Sequence, residues 1–158
     1  MIVPSNREID AWIAEHIIQL SGVGYYRRVS QKTSGWEKCE KDDTTLDNDR
    51  WSANLYYLSI PGNTDSVFAV PQYTDSIEEA FSVICKLRSM NYHFVISDTY
   101  DGVDKFKVEI WGIRNLIDSM RTKLVEACDI HPAKAICVAV CNLFELFEES
   151  KCPWFARH

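Results

Sequence analysis

The sequence predicts an α+β fold, with helices packed on a small antiparallel sheet and a loop or hairpin inserted after the first helix. Three observations carry this. Segments with apolar residues at three- and four-residue steps alternate with segments of period two. The helical segments open on capping signals. Pro-Gly and Asp-Gly turns join the period-two segments as hairpins. At 158 residues, 46% apolar and 25% charged, the chain has the size and composition of one globular domain spanning 1–158.

The first helix is expected from about Arg7 to Leu20. Ser5-x-x-Glu8 is a capping box, and Ile9, Trp12, Ile13, His16, Ile17 and Leu20 make one apolar stripe. Ser21-Gly22-Val23-Gly24 is expected to end it. From Tyr25 to Asn54 the periodicity is lost, and Trp36 to Arg50 holds six acids and three bases, so 21–65 reads as an inserted surface segment. Within it Asn54–Ile60 and Ser66–Val70 read as strands around Pro61-Gly62-Asn63.

Ser76 to Met90 reads as a second helix, with Asp75 as its cap and Ile77, Ala80, Phe81, Ile84 and Leu87 as its apolar face. Tyr92–Ser97 and Lys105–Trp111 are strands flanking Tyr100-Asp101-Gly102. Phe106, Val108 and Ile110 alternate with Lys105, Lys107 and Glu109, so one face is buried and the other wet. Residues 112–127 fit either state: Ile113, Leu116, Ile117, Met120 and Leu124 have helical spacing, whereas Leu124 to Ala127 suits a strand. A helical turn followed by a short strand is favoured. His131-Pro132 then starts a last helix, Ala133 to Phe147, apolar almost all round. With the apolar tail Cys152-Pro153-Trp154-Phe155, it points to a homo-oligomer.

Composition excludes several classes. A net charge of −6 argues against direct nucleic-acid binding. No uninterrupted apolar run reaches the roughly 18 residues of a membrane span, and Met1 to Glu8 lacks the pattern of a secretory leader. The six cysteines are therefore expected as thiols in a reducing cytosol. Cys137 and Cys141 share a helix face at a chelating spacing, but no second close pair completes a zinc site, so no metal or other cofactor is expected.

Three blocks resemble a known family. Asn6-Arg7-Glu8-Ile9-Asp10-Ala11-Trp12-Ile13-Ala14-Glu15-His16 is similar to the opening of small bacteriophage proteins grouped as the phage ABA sandwich domain. Pro71-Gln72-Tyr73-Thr74-Asp75-Ser76-Ile77-Glu78-Glu79-Ala80 resembles the start of that family's second helix. Cys128-Asp129-Ile130-His131-Pro132-Ala133-Lys134-Ala135-Ile136-Cys137 resembles its alanine-rich helix. The resemblance implies helices on both sides of the sheet, an α/β/α sandwich, and a phage or prophage origin. It implies no reaction, since the blocks hold caps and core positions. The chain departs from the family in the longer, more aromatic stretch 21–65 and in 112–123.

No phosphate-binding glycine loop, nucleophile elbow or zinc-protease motif occurs, so an enzyme is not expected. Asp42, Asp43, Asp47 and Asp49 lack the glycine and terminal glutamate of a calcium loop. Tyr25, Tyr26, Arg27, Arg28, Trp36, Trp51, Tyr56 and Tyr57 make the inventory of a nucleotide pocket or of a protein-interface hot spot, unless the rings simply pack on the sheet. The expected function is binding in the host cytosol. A phage inhibitor of a host defence system, such as an anti-CRISPR protein, leads by analogy from origin. It would contact a host protein through Arg27, Arg28, Trp36, Trp51 and the acids Asp42, Asp43, Asp47 and Asp49. A sponge for a nucleotide immune signal and a structural virion component are the alternatives.

Overall fold

The computed structural model describes residues 5–30, 33–40, 54–100, 104–115 and 118–145. In chain order the elements are α1 (Asn6–His16), β1 (Ser21–Ser30), β2 (Thr33–Cys39), β3 (Asn54–Leu58), β4 (Val67–Ala69), α2 (Ile77–Ser89), β5 (His93–Tyr100), β6 (Asp104–Asn115), β7 (Asp118–Asp129) and α3 (Pro132–Glu145). The backbone gathers into two compact units. One joins Met1–Ile13 to Gln72–His158, and the other is Ala14–Pro71, which contains the stretch read as an insertion.

The expected sandwich, with helices on both sides of one small sheet, is overturned. There are two antiparallel sheets, ordered β2-β1-β3-β4 and β5-β6-β7, and strand outweighs helix. The physical reason lies in the second sheet. Val108 and Ile110 with Val125 and Ala127 form its buried face, against which α3 packs, with α2 beside α3. The opposite face carries charged residues around the exposed Val95 and the indole of Trp111. Glu109 and Glu126 lie directly opposite each other there, an arrangement that repels. Lys123 lies 2.6 Å from Glu126 and 3.8 Å from Glu109, and Lys107 lies 2.8 Å from Glu109. A register shift after Ile110 brings Lys123 and Glu126, three apart in sequence, to one face. The hydrogen bonds between partners raise both lysine pKa values and lower both glutamate ones. Such a face has no need of a helix over it.

The helices form largely where their signals stand. Ser5 and Glu8 close the capping box, the Ser5 N–H donating to Glu8 Oε2 at 2.7 Å and the Glu8 N–H to Ser5 Oγ at 3.4 Å. α1 stops at His16, four residues early, with Gln19 in the left-handed region at φ 65°. α2 is capped by Ser76, whose hydroxyl accepts from the Glu79 N–H, and not by Asp75. α3 begins on Pro132, and the Ala135 N–H donates to the His131 carbonyl at 2.9 Å. Its apolar circumference is used inside the chain: Ala135, Ile136, Cys137, Ala139, Val140 and Leu143 are buried, and Phe144 meets Trp12 with ring centroids 5.8 Å apart. The tail from Cys152 to Phe155 lies outside the described residues, so the oligomer expected from it is not addressed by this packing. Among the described residues no helix is long and apolar enough to cross a membrane.

Residues 112–127 are strand throughout their described part, because β6 and β7 run together as one long hairpin. The lost periodicity after Tyr25 likewise hides β1 and β2. Ser21-Gly22-Val23-Gly24, read as a helix stop, opens β1 through a register shift against β3. Gly22 has φ +60°, and a Cβ there would lie 2.7 Å from Leu58 Cδ1. Gly62, at φ +78° in the β3–β4 turn, has open space instead. Gly22→Ala is therefore expected to lower unfolding free energy by about 2 kcal/mol and Gly62→Ala by about 1 kcal/mol. Urea midpoints of the two variants check this ordering, and equal midpoints would remove the steric part of it.

Candidate functional site

The ring-and-cation inventory lies mainly on the sheet β2-β1-β3-β4, and register decides which members meet. Residues paired across a ladder share a face. Arg28 pairs with Trp36, Tyr26 with Lys38 and Gly24 with Tyr56, so these positions belong to one face. Arg27 pairs with Glu37, and Tyr25 with Cys39 and Leu55, on the other. The two arginines, adjacent in sequence, are thus divided between faces.

On the first face the half-buried rings of Trp36 and Tyr56 are in tilted contact, with centroids 4.8 Å apart. The stem of Lys38 crosses β1 at Gly24, since a Cβ on that glycine would meet Lys38 Cε at 2.7 Å. Tyr26 is buried, its hydroxyl donates to the Gly22 carbonyl at 2.7 Å, and burial raises its pKa. The result is a contacting pair of half-buried rings with an exposed lysine on the same face. On the second face Arg27 donates through Nε and Nη2 to Glu37 Oε1, each at 2.5 Å. A guanidinium held this closely is already matched to a carboxylate.

Of the residues read from sequence as binding candidates, the structure unites Trp36 with the register position of Arg28 and sets Arg27 apart. Asp42, Asp43, Asp47, Asp49 and Trp51 lie outside the described residues. Lys38 was not singled out from sequence, and only the register signals it.

A second polar cluster was also passed over. Asp10 is fully buried on α1 and accepts from the Thr74 N–H at 2.8 Å and from Arg7 Nη1 at 3.0 Å. Burial raises its pKa, outweighing the Thr74 and Arg7 interactions that lower it. Its sequence signal was an acid within an apolar helix, three residues from an arginine. Cys137 and Cys141 are buried on α3, and burial pushes the Cys137 thiol far up, with the charges of Cys141, Asp10 and Asp75 adding to the effect. A thiol so shifted is a poor nucleophile and a poor metal ligand at neutral pH. Among the described residues no group of three or more His, Cys, Asp or Glu is placed to hold a metal ion.

Compared with known proteins, the chain matches no family model, no curated protein and no solved structure at a significant level.

Two outcomes follow from these environments. A group whose folded pKa is raised favours folding most at low pH, and that contribution is lost as pH rises through the folded value. Relative to Asp10→Asn, the wild-type chain should lose stability as pH rises from about 4, the ordinary aspartate value, into the raised range. Urea titrations of both proteins across this window test the sign, and parallel curves would contradict it. Alkylation of the folded protein at neutral pH should modify the exposed Cys85 and Cys128 and spare Cys137 and Cys141. Peptide mass mapping reads the pattern.

Proposed function

We propose that the chain is a phage or prophage accessory protein that acts in the host cytosol without catalysis. It docks on a host protein of a defence system through the Trp36–Tyr56 face. The observation that carries the docking is the ring pair itself, half-buried, in contact at 4.8 Å and flanked by Lys38. Large rings in contact with each other have few rotamers to lose on binding, and aromatic anchors are enriched among interface hot spots. Arg27 is already matched to Glu37 on the opposite face, so the docking reading makes no use of its guanidinium fork. The phage setting and the defence target rest on the three sequence blocks that resemble the phage family and on analogy from origin.

The test is capture with the tagged protein from bacterial lysate, followed by mass spectrometry of bound proteins and small molecules. A stoichiometric host protein is expected with the wild-type chain. Trp36→Ala with Tyr56→Ala should weaken its capture at least about thirtyfold, equivalent to about 2 kcal/mol, with the circular dichroism spectrum unchanged. A bound nucleotide with no protein partner would replace this reading by the sponge, and co-purification with particles alone by the virion component.

A further inference from the structure

We propose that two copies of this chain pair edge to edge through β5, joining two three-stranded sheets into one of six strands. This does not rest on the partner-capture reading, since it uses only the unit of Met1–Ile13 and Gln72–His158.

Four strands stand at sheet edges, β2 and β4 in one sheet and β5 and β7 in the other. An edge offers N–H and C=O groups to any extended chain, and folded proteins blunt it with charge, irregular register, proline or shortness. β4 is three residues long. β2 carries Glu37 and Lys38 and a register shift beyond Arg28. β7 carries Arg121, Lys123 and Glu126 and register shifts against β6. β5 has none of these devices. Its eight residues pair with β6 in unbroken register from His93↔Trp111 to Tyr100↔Asp104. Asp98 is its one acid, and it holds no lysine, arginine or proline. Among the described residues no strand continues the ladder beyond it.

The side chains of β5 repeat the point on both faces. α3 covers β6 and β7, and α2 only grazes β5. On the helix side Val108 is fully buried, yet Ile96, its partner on β5, is 39% exposed. On the other face Val95, opposite Glu109, is 47% exposed. One edge thus leaves apolar surface open on both faces at the middle of the strand. A further strand in the ladder covers both at once.

A second copy of β5 supplies that strand. A two-fold axis through Val95 sets this residue opposite itself, with Phe94 opposite Ile96 and His93 opposite Ser97. Opposed residues of an antiparallel pair share a face, and each of these pairs keeps the face it has within one copy. Asp98 falls opposite Tyr92 and never opposite its own copy, so no like charges meet. The strand is complementary to itself. Backbone hydrogen bonds and apolar cross-strand pairs hold the join.

Sedimentation equilibrium across a wide concentration range reads the association, and the wild-type chain should be dimeric at high concentration. Val95→Lys sets two lysines on the axis and should weaken dimerisation at least about tenfold. The position is exposed, so the circular dichroism spectrum should be unchanged. Mild oxidation of a chain carrying Cys85→Ser and Cys128→Ser reads the register. Val95→Cys brings two thiols opposite each other and should give a linked dimer, whereas Ser97→Cys, opposite His93, should not. A wild-type chain that stays monomeric throughout would overturn the proposal. So would a dimer that tolerates Val95→Lys, or cross-linking without preference for position 95. A monomeric chain that captures a different protein, and loses it on Val95→Lys, would assign the edge to that protein instead.

Discussion

The buried carboxylate of Asp10 is the constraint on which the discontinuous unit depends. The chain departs from that unit after Ile13 and re-enters it at Gln72. At the re-entry the Thr74 N–H finds its acceptor in Asp10, 64 residues back in sequence. Beside it the Asn6 side chain donates to Asp75 at 3.3 Å, so two neighbouring residues of the returning chain are tied to α1. Closing a long loop costs only slightly more than closing a short one, because the entropy grows with the logarithm of length. What such a closure needs is a specific partner at the crossing. A charged oxygen aimed at a backbone N–H supplies one, and Arg7 balances the charge from the half-exposed side. Once Thr74 is fixed, Ser76 follows as the cap of α2, and the helix can set Ala80, Val83, Ile84 and Leu87 inward. The raised pKa of Asp10 records the cost of this arrangement, a carboxylate taken out of water to hold a join.

From that join the layering follows. α3 is apolar almost all round and can be covered only by several elements, which here are α1 through Trp12, α2, and the inner face of β6 and β7. That demand places the helices on one side of the three-stranded sheet. The other side must then be stable in contact with water. Lys107, Glu109, Lys123 and Glu126 achieve this with alternating charge, and the indole of Trp111 donates to Glu109 at 3.1 Å. One layer of helices and one charged face are two parts of the same solution.

The alternation of Lys105, Lys107 and Glu109 with Phe106, Val108 and Ile110 already announced a one-sided sheet, at odds with the sandwich implied by family resemblance. The local pattern was the better guide to layering. Helices α1, α2 and α3 were legible because caps and three-to-four spacing act within a few residues. β1 and β2 were not, because Tyr25-Tyr26-Arg27-Arg28 puts a ring and a cation on each face and so shows no period of two. The outer hairpin was illegible for the opposite reason. Ile113, Leu116, Ile117, Met120 and Leu124 imitate a helical stripe, yet Ile113 and Met120 do not enter this chain's core at all. A stripe identifies residues that seek apolar cover without saying which surface provides it.

The candidate site shows the same limit in another form. The sequence sets rings and guanidinium groups side by side, which suggested a nucleotide pocket or an interface hot spot. A strand places neighbours on opposite faces, so Arg27 went to Glu37 while Trp36 and Lys38 of β2 came together with Tyr56 of β3. The chemistry of a face is therefore set by ladder register, a long-range property, and not by composition. Phosphate recognition needs the cations and rings on one side with the cations unfilled. What the ladder assembles is a ring pair with Lys38 and the register position of Arg28 on the same face, while Arg27 meets Glu37 on the other.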